Sequence, residues 1–337
     1  MKSRERVFRA INFNYPDRVP ISHAILPAAQ IKYGKALDDI LSNVHEDFGW
    51  DFLPDMKREE LPPLYKGGCN YDEFGVLWRV EVEGLCGIPV EWPLSDWSKY
   101  ESFRWPRFST GQPKARLYSG HMEGQSDEYY ARGAWITFFE QMQHLRGMEN
   151  LLADLAYQSK EVYRLRDDML SFNLEWIDRW LEHKYDGLHF ADDWGSQRGL
   201  LISPELWRKF FKPCYEAMFD RVISKGVDVH FHSDGNIIEI IPDLLDIGVK
   251  VLNCQASIIG LDRLKKDFAG KVCFRTDLDR QRVMPFGTPG EVREHILDVF
   301  EHLGTERGGI IACGEIGPDT PLENIRAMYE TFMNYWY

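Results

Sequence analysis

The sequence predicts an α/β fold, a (β/α)8 TIM barrel with an antiparallel hairpin inserted into it and a helix ahead of it, in one domain over residues 1–337. Three observations carry this prediction. From about residue 129, apolar runs of five or six residues alternate with helix-like stretches, the pattern of parallel strands joined by helical crossovers. Six such late units, with one or two early ones, suit a barrel of roughly 250 residues plus an insertion. No G-x-G-x-x-G or Walker motif follows any of the runs, which weighs against an open, nucleotide-binding sheet.

The elements follow in chain order. Residues 3–13 read as an amphipathic helix stopped before Pro16, and Val19 to Ile25 as a first buried strand. Residues 28–48 look helical, with Gly34 as a weak point. Between about 65 and 108, Tyr71 to Val82 alternates and then turns at Gly84 and Gly87, which predicts the inserted hairpin. Later strands are predicted at 135–137, 187–191, 227–232, 249–253, 271–275 and 309–313. Ser159, Ser203-Pro204, Thr288-Pro289 and Pro321 open helices; Gly226, Gly248 and Gly304 end them.

Composition limits the function. Forty basic against fifty-three acidic side chains give a net charge of −13, so a nucleic-acid or anionic-membrane partner is not expected. No apolar run reaches the roughly 18 residues of a membrane span, and no apolar signal region follows Met1 to Arg6, so a cytoplasmic location is the expectation. The six cysteines are scattered without a C-x-x-C pair, which does not make a disulfide framework.

In a barrel the chemistry sits at the C-terminal ends of the strands. Here successive strands end in Asp192-Asp193-Trp194-Gly195-Ser196-Gln197, in His230 to Asn236, in Asn253-Cys254-Gln255, in Arg275-Thr276-Asp277 and in Cys313-Gly314-Glu315. Alternation sends Val227, Val229 and Phe231 to the helices, so His230 and His232 face the barrel axis together; Cys313 and Glu315 share one face of the last strand. For the 249–253 strand the same logic does not decide the face. Two histidines, a thiol and a carboxylate make an N/S/O set suited to zinc with an open position. Cys254 and Cys273 read as core thiols, and Glu140 with His144 as a surface pair. Asp192 and Asp193 are expected in the pocket, with Trp194, Gln197, Asn253, Arg275 and His189 as substrate contacts.

At these residues the sequence resembles the uroporphyrinogen decarboxylase superfamily. The stretches are Ser3 to Val7 through Pro16-Asp17-Arg18-Val19-Pro20, Asp192 to Gln197, Leu201 to Trp207 through Lys212-Pro213, His232-Ser233-Asp234-Gly235-Asn236 with Ile241 to Leu244, and Pro318 to Asn324. The tetrapyrrole decarboxylases of that superfamily carry an arginine-rich block after the first strand; here Ser22 to Pro27 contains no arginine. The chain is more similar to the zinc- and corrinoid-dependent methyltransferase and O-demethylase branch, whose H-x-C-G-N block and later cysteine match His232 and Cys313. The middle cysteine is Asp234 here, so Asp234, His230 or Glu315 would complete the ligand set.

The resemblance implies methyl transfer between a small methyl donor or acceptor, a methoxylated aromatic among them, and a corrinoid on a separate protein, since no D-x-H-x-x-G corrinoid motif occurs. Zinc would polarise the heteroatom as a Lewis acid, and Asp193 or Glu315 would supply a proton to the leaving group. A homodimer is allowed for, with the insertion either covering the site or forming the interface. Two rivals remain: metal-free decarboxylation, with Asp192, Asp193 and Arg275 holding the substrate, and a binding module without turnover.

Overall fold

The computed structural model describes residues 1–49, 61–107 and 127–335. Its elements in chain order are α1 (Ser3–Ile11), β1 (Ala24–Ile25), α2 (Pro27–Tyr33), α3 (Lys35–Leu41), β2 (Gly68–Tyr71), β3 (Leu77–Val80), β4 (Ile88–Glu91), β5 (Arg132–Ile136), α4 (Phe139–Arg146), α5 (Met148–Tyr157), α6 (Lys160–Leu181), β6 (Gly187–Ala191), α7 (Pro204–Phe210), α8 (Lys212–Ile223), β7 (Asp228–Ser233), α9 (Ile241–Asp246), β8 (Val249–Cys254), α10 (Ala256–Ile259), α11 (Leu261–Phe268), β9 (Cys273–Arg275), α12 (Val283–Phe286), α13 (Pro289–Leu303), β10 (Ile310–Ile311), β11 (Glu315–Ile316) and α14 (Leu322–Asn334).

Strands β5 to β10 form one parallel sheet in sequence order. The ring closes through short segments. β1 pairs in parallel with β11, and Ile21 bridges Ala312. On the other side Asp47 N donates to Ile21 O, and Tyr130 N donates to Asp47 O. The last barrel strand is thus one segment in two pieces: Ile310–Ile311 pairs with β9, and Ala312 to Ile316 with the first strand. This is the predicted barrel, with helical crossovers placed by their caps. Ser159 accepts from Val162 N and Ser203 from Leu206 N, while Thr288 and Glu291 make a reciprocal capping box.

The strand faces divide by period. Phe190 and Phe231 point outward onto Phe219 of α8. Inside, a floor layer of Tyr130, Val251, Cys273 and Ile311 is plugged from below by Val7 and Ile11 of α1. Helix α1 is held there by ion pairs of Arg4 with Asp186, and of Arg6 with Asp17 and Asp47. The floor packs the barrel shut at its N-terminal end, so only the C-terminal end is left for a site.

Several expectations are corrected. The stretch 28–48 is two short helices, because Gly34 adopts φ +45° between them. The insertion is a three-stranded antiparallel sheet, β2-β3-β4, rather than one hairpin. Its first turn is fixed by Asp72, whose carboxylate accepts from Phe74 N, Val76 N and Trp78 Nε1. Trp78 is buried and meets His144 edge-on at 4.8 Å. His144 therefore docks the insertion onto α4. Among the described residues no helix is long and apolar enough to cross a membrane.

Candidate active site

At the barrel mouth three side chains converge: Asp193 after β6, and His232 and Asp234 at the end of β7. One ligand atom of each lies within 4.8 Å of the others. His232 Nε2 is 3.6 Å from Asp193 Oδ1 and 3.5 Å from Asp234 Oδ1. The loops carrying the two aspartates are locked together. Asp234 N donates to Asp193 Oδ1 at 2.8 Å, and Gly195 N donates to Asp234 O. Gly235 has φ +77°, and a Cβ there would run into the Gly195 backbone. Only glycine permits this approach.

The neighbour on β8 fixes the state of the imidazole. Asn253 Nδ2 donates to Arg275 O at 2.8 Å, while its Oδ1 accepts from Arg275 Nη1 at 3.1 Å. The amide orientation is thereby set, and Oδ1 faces His232 Nδ1 at 2.7 Å. Nδ1 must carry the proton, which turns the Nε2 lone pair toward the two carboxylates. A nitrogen lone pair facing two acid groups calls for a cation among them, either a proton on Nε2 or a metal ion. Histidine nitrogen with carboxylate oxygens is a set that zinc accepts, with positions left open, so the residues fit a zinc ion.

Arg280, from the loop after β9, borders the cluster. Its Nη2 binds the Asp234 carboxylate and its Nη1 donates to Glu315 Oε1 at 3.0 Å. Burial works against that charge, but Glu315, Asp277 and Asp234 outweigh it and hold the guanidinium above its ordinary value. Burial raises Asp193, against the pull of His232, and pushes Asp277 up to about 7, where Arg280 opposes it.

Arg275 and Asn253 lie in the barrel interior, both buried. His189, buried, stands beside Trp135 at 4.7 Å between ring centroids, and Trp135 lies 6.2 Å from His232. Gln197 is exposed. Glu315 is the partner of Arg280. Cys313 is buried; burial raises its thiol while Arg275 and Arg132 draw it back. Neither Cys313 nor His230 belongs to the cluster within 4.8 Å. His230 sits one layer lower, its Nε2 2.9 Å from Tyr130 OH on the floor.

Two expectations fail. Asp192 is not in the pocket: its carboxylate accepts from Phe138 N, Glu140 N and Tyr215 OH at 2.6 to 3.1 Å, clamping the β5–α4 loop to α8. Burial pushes its carboxyl up to about 7 against those donors. Trp194 likewise faces the helices, stacked on Phe139 at 3.9 Å, with Nε1 donating to Tyr215 OH. The alternation that places His189 inside and Phe190 outside, continued four residues to Trp194, puts Asp193 inside and Asp192 and Trp194 outside. That signal is in the sequence.

Four site residues had no role assigned to them from sequence: Asp277, Arg280, Arg132 and Trp135. Asp277 and Arg280 follow the polar end of β9. Arg132 and Trp135 are three apart, a spacing that a regular strand sends to opposite faces. The register of β5 shifts between Gly133 and Ile136, and Ala134 has φ +66°. This bulge turns both side chains inward.

Comparison with known proteins agrees with this architecture. The family model described as Uroporphyrinogen decarboxylase (URO-D) matches residues 131–335. A methyltransferase from Methanosarcina mazei is similar in structure over 99% of this chain and 98% of its own, with 15% identity and a TM-score of 0.67. A B12-independent methionine synthase from Shewanella sp. W3-18-1, solved with selenomethionine, is 11% identical over 52% of this chain and 54% of its own, TM-score 0.35. A dihydropteroate synthase from Xanthomonas albilineans, in complex with 7,8-dihydropteroate, is 12% identical over 58% and 62%, TM-score 0.30. No curated protein matches the sequence. The match over 131–335 takes in β5 through α14, every element that builds the mouth cluster, and is more than half of the 337 residues; the chain belongs to the uroporphyrinogen decarboxylase family.

Proposed function

We propose that this protein is a methyltransferase that moves a methyl group between a small molecule and a corrinoid held by a separate protein. The observation that carries the reading is the imidazole of His232, its Nδ1 fixed by Asn253 and its Nε2 turned toward Asp193 and Asp234. Membership of the family and the full-length likeness to a methyltransferase fold support it. His232, Asp193 and Asp234 would hold zinc, which supplies Lewis-acid polarisation of the substrate heteroatom. The corrinoid would supply the methyl-carrying cobalt.

The chain's own residues do the rest. Asn253 orients His232. Arg280 offsets the charge of Asp234 and Glu315 in a crowded acidic site, and retains Glu315 as a partner when Asp234 turns to a cation. Trp135 and His189 wall the pocket.

Purified full-length protein should carry close to one zinc, and His232→Ala and Asp193→Ala should each lose it together with methyl transfer. Less than about a tenth of an equivalent of zinc, with activity unchanged after chelation, removes the metal from the reading. A metal-free decarboxylase is the second reading. It is favoured by the Arg280 guanidinium seated on Asp234 and weakened by Asp192, which is engaged with backbone. Consumption of uroporphyrinogen by the metal-free protein would decide for it.

A further inference from the structure

Arg280 and a cation at the barrel mouth lay claim to the same atom. Asp234 Oδ1 is the carboxylate oxygen that faces His232 Nε2, at 3.5 Å, a separation that two ligands of one zinc ion, roughly 2 Å from each, can span. That oxygen and Oδ2 both accept from Arg280 Nη2. Nη1 of the same guanidinium donates to Glu315 Oε1 at 3.0 Å. The other two members of the cluster are held by neutral partners. Asp193 Oδ1 accepts from the backbone N–H of Asp234, and His232 Nδ1 bonds Asn253 Oδ1.

The surrounding bonds restrict what can move. Asp234 is pinned at its backbone, where N donates to Asp193 Oδ1 and O accepts from Gly195 N. The loop that carries Arg280 is pinned as well. Asp279 N donates to His295 Nε2 on α13 at 3.0 Å, and Asp279 Oδ1 accepts from Gln281 N and Arg282 N at 3.0 and 2.9 Å. The side chains at the rim are less confined: Arg280 is 24% exposed, Asp234 29% and Glu315 28%. The guanidinium can leave Asp234 through its own torsions while its loop stays in place, and Glu315 gives it a carboxylate to stay with.

Charge sets the direction of the effect. A carboxylate whose two oxygens accept from a guanidinium has much of its charge already offset, and a divalent ion beside it meets a like charge. A supporting partner that aimed Asp234 at the metal would act the other way, since losing such a partner weakens a metal site. We infer that Arg280 is a built-in rival of the metal ion: guanidinium and divalent cation exclude each other on Asp234, Glu315 keeps the guanidinium when the metal binds, and this exchange sets how readily the site loads. The inference rests on the ligand set of the proposed function and adds the regulation of that set.

The test is zinc affinity, by competition with a chromogenic chelator, together with thermal melting of the full-length protein with and without zinc. Arg280→Met should bind zinc about 10- to 150-fold more tightly than wild type, the worth of a charged hydrogen bond. Its metal-free form should melt lower than wild type, since Asp234 and Glu315 lose their shared cation, and zinc should raise its Tm by more. Arg280→Lys, a point charge without the fork, holds one carboxylate at a time and should fall between; it carries the test if Arg280→Met does not fold. Glu315→Gln should weaken zinc binding when Arg280 is present and change it less in the Arg280→Met background, because Glu315 acts through the guanidinium. Zinc binding equal to or weaker than wild type in the Arg280 variants overturns the inference, as does a Glu315→Gln effect that is the same in both backgrounds. Either result with about one equivalent of zinc on the wild type sinks this inference alone. Tighter zinc binding in the Arg280 variants without methyl transfer by the wild type sinks the proposed function alone.

Discussion

Asn253→Leu isolates the residue that orients the imidazole without touching any group at the mouth. Leucine keeps the branched shape, with two bulkier methyl groups in place of the amide oxygen and nitrogen, and has none of the polarity. It strips the acceptor from His232 Nδ1 and from Arg275 Nη1, and the donor from Arg275 O. Asn253 is 7% exposed, so those groups are orphaned with little access to water, except at His232, whose side chain is 18% exposed. At about 1–3 kcal/mol for an orphaned buried group, folding should lose about 2–5 kcal/mol. The ring is also freed to rotate and to take the other tautomer, which in known metal sites costs 10- to 100-fold in affinity, or about 1.4–2.7 kcal/mol. Competition with a chromogenic chelator measures the second quantity, and urea denaturation of the metal-free protein the first. A zinc affinity within threefold of wild type, alongside a large loss in His232→Ala, would refute the argument that Asn253 sets the donor state.

Three further outcomes follow from the same geometry. Gly235→Ala should destabilise the protein by at least about 3 kcal/mol and weaken zinc binding, since the β6 and β7 loops can no longer meet; wild-type melting and metal affinity would show that the close approach is dispensable. Asp192→Asn should cost about 2–4 kcal/mol by presenting an amide N–H to backbone donors while leaving zinc stoichiometry at wild type; loss of zinc with unchanged stability would restore Asp192 to the site. His23, buried against Tyr329 OH at 2.7 Å, is lowered by burial from 6.5 to about 3. The folded state then stays neutral while the unfolded chain takes up a proton below 6.5, so this contribution is whole above pH 6.5 and declines as pH falls toward 3. It amounts to about 2 kcal/mol by pH 5, and urea denaturation of His23→Gln at pH 8 and pH 5 should show that much less pH dependence than wild type.

How much of this was legible before folding differs from residue to residue. The barrel could be read because each strand and helix is locally self-consistent: apolar runs, caps at Ser159, Ser203 and Thr288, and helix-ending glycines act within a few residues. His232 and Asp234 could be read because a polar strand end with strict alternation fixes which side chains face the axis. Asp192 and Trp194 sit as near the strand end as Asp193, yet the same alternation turns them out toward the helices. The face of β8 was ambiguous, with Val249, Val251 and Asn253 one way and Lys250, Leu252 and Cys254 the other; Asn253 shows itself as the partner of His232 only through the register that sets them side by side.

The sequence by itself determined the strand order, the polar rim and the histidine that faces inward, because each depends on periodicity and on interactions of short range along the chain. The tertiary structure decided which groups meet. Arg280 reaches Asp234 across 46 residues and Arg275 reaches Asn253 across 22, and a single bulge in β5 turns Arg132 and Trp135 inward. Such meetings depend on barrel closure and on a local break in phase, and neither leaves a period in the sequence.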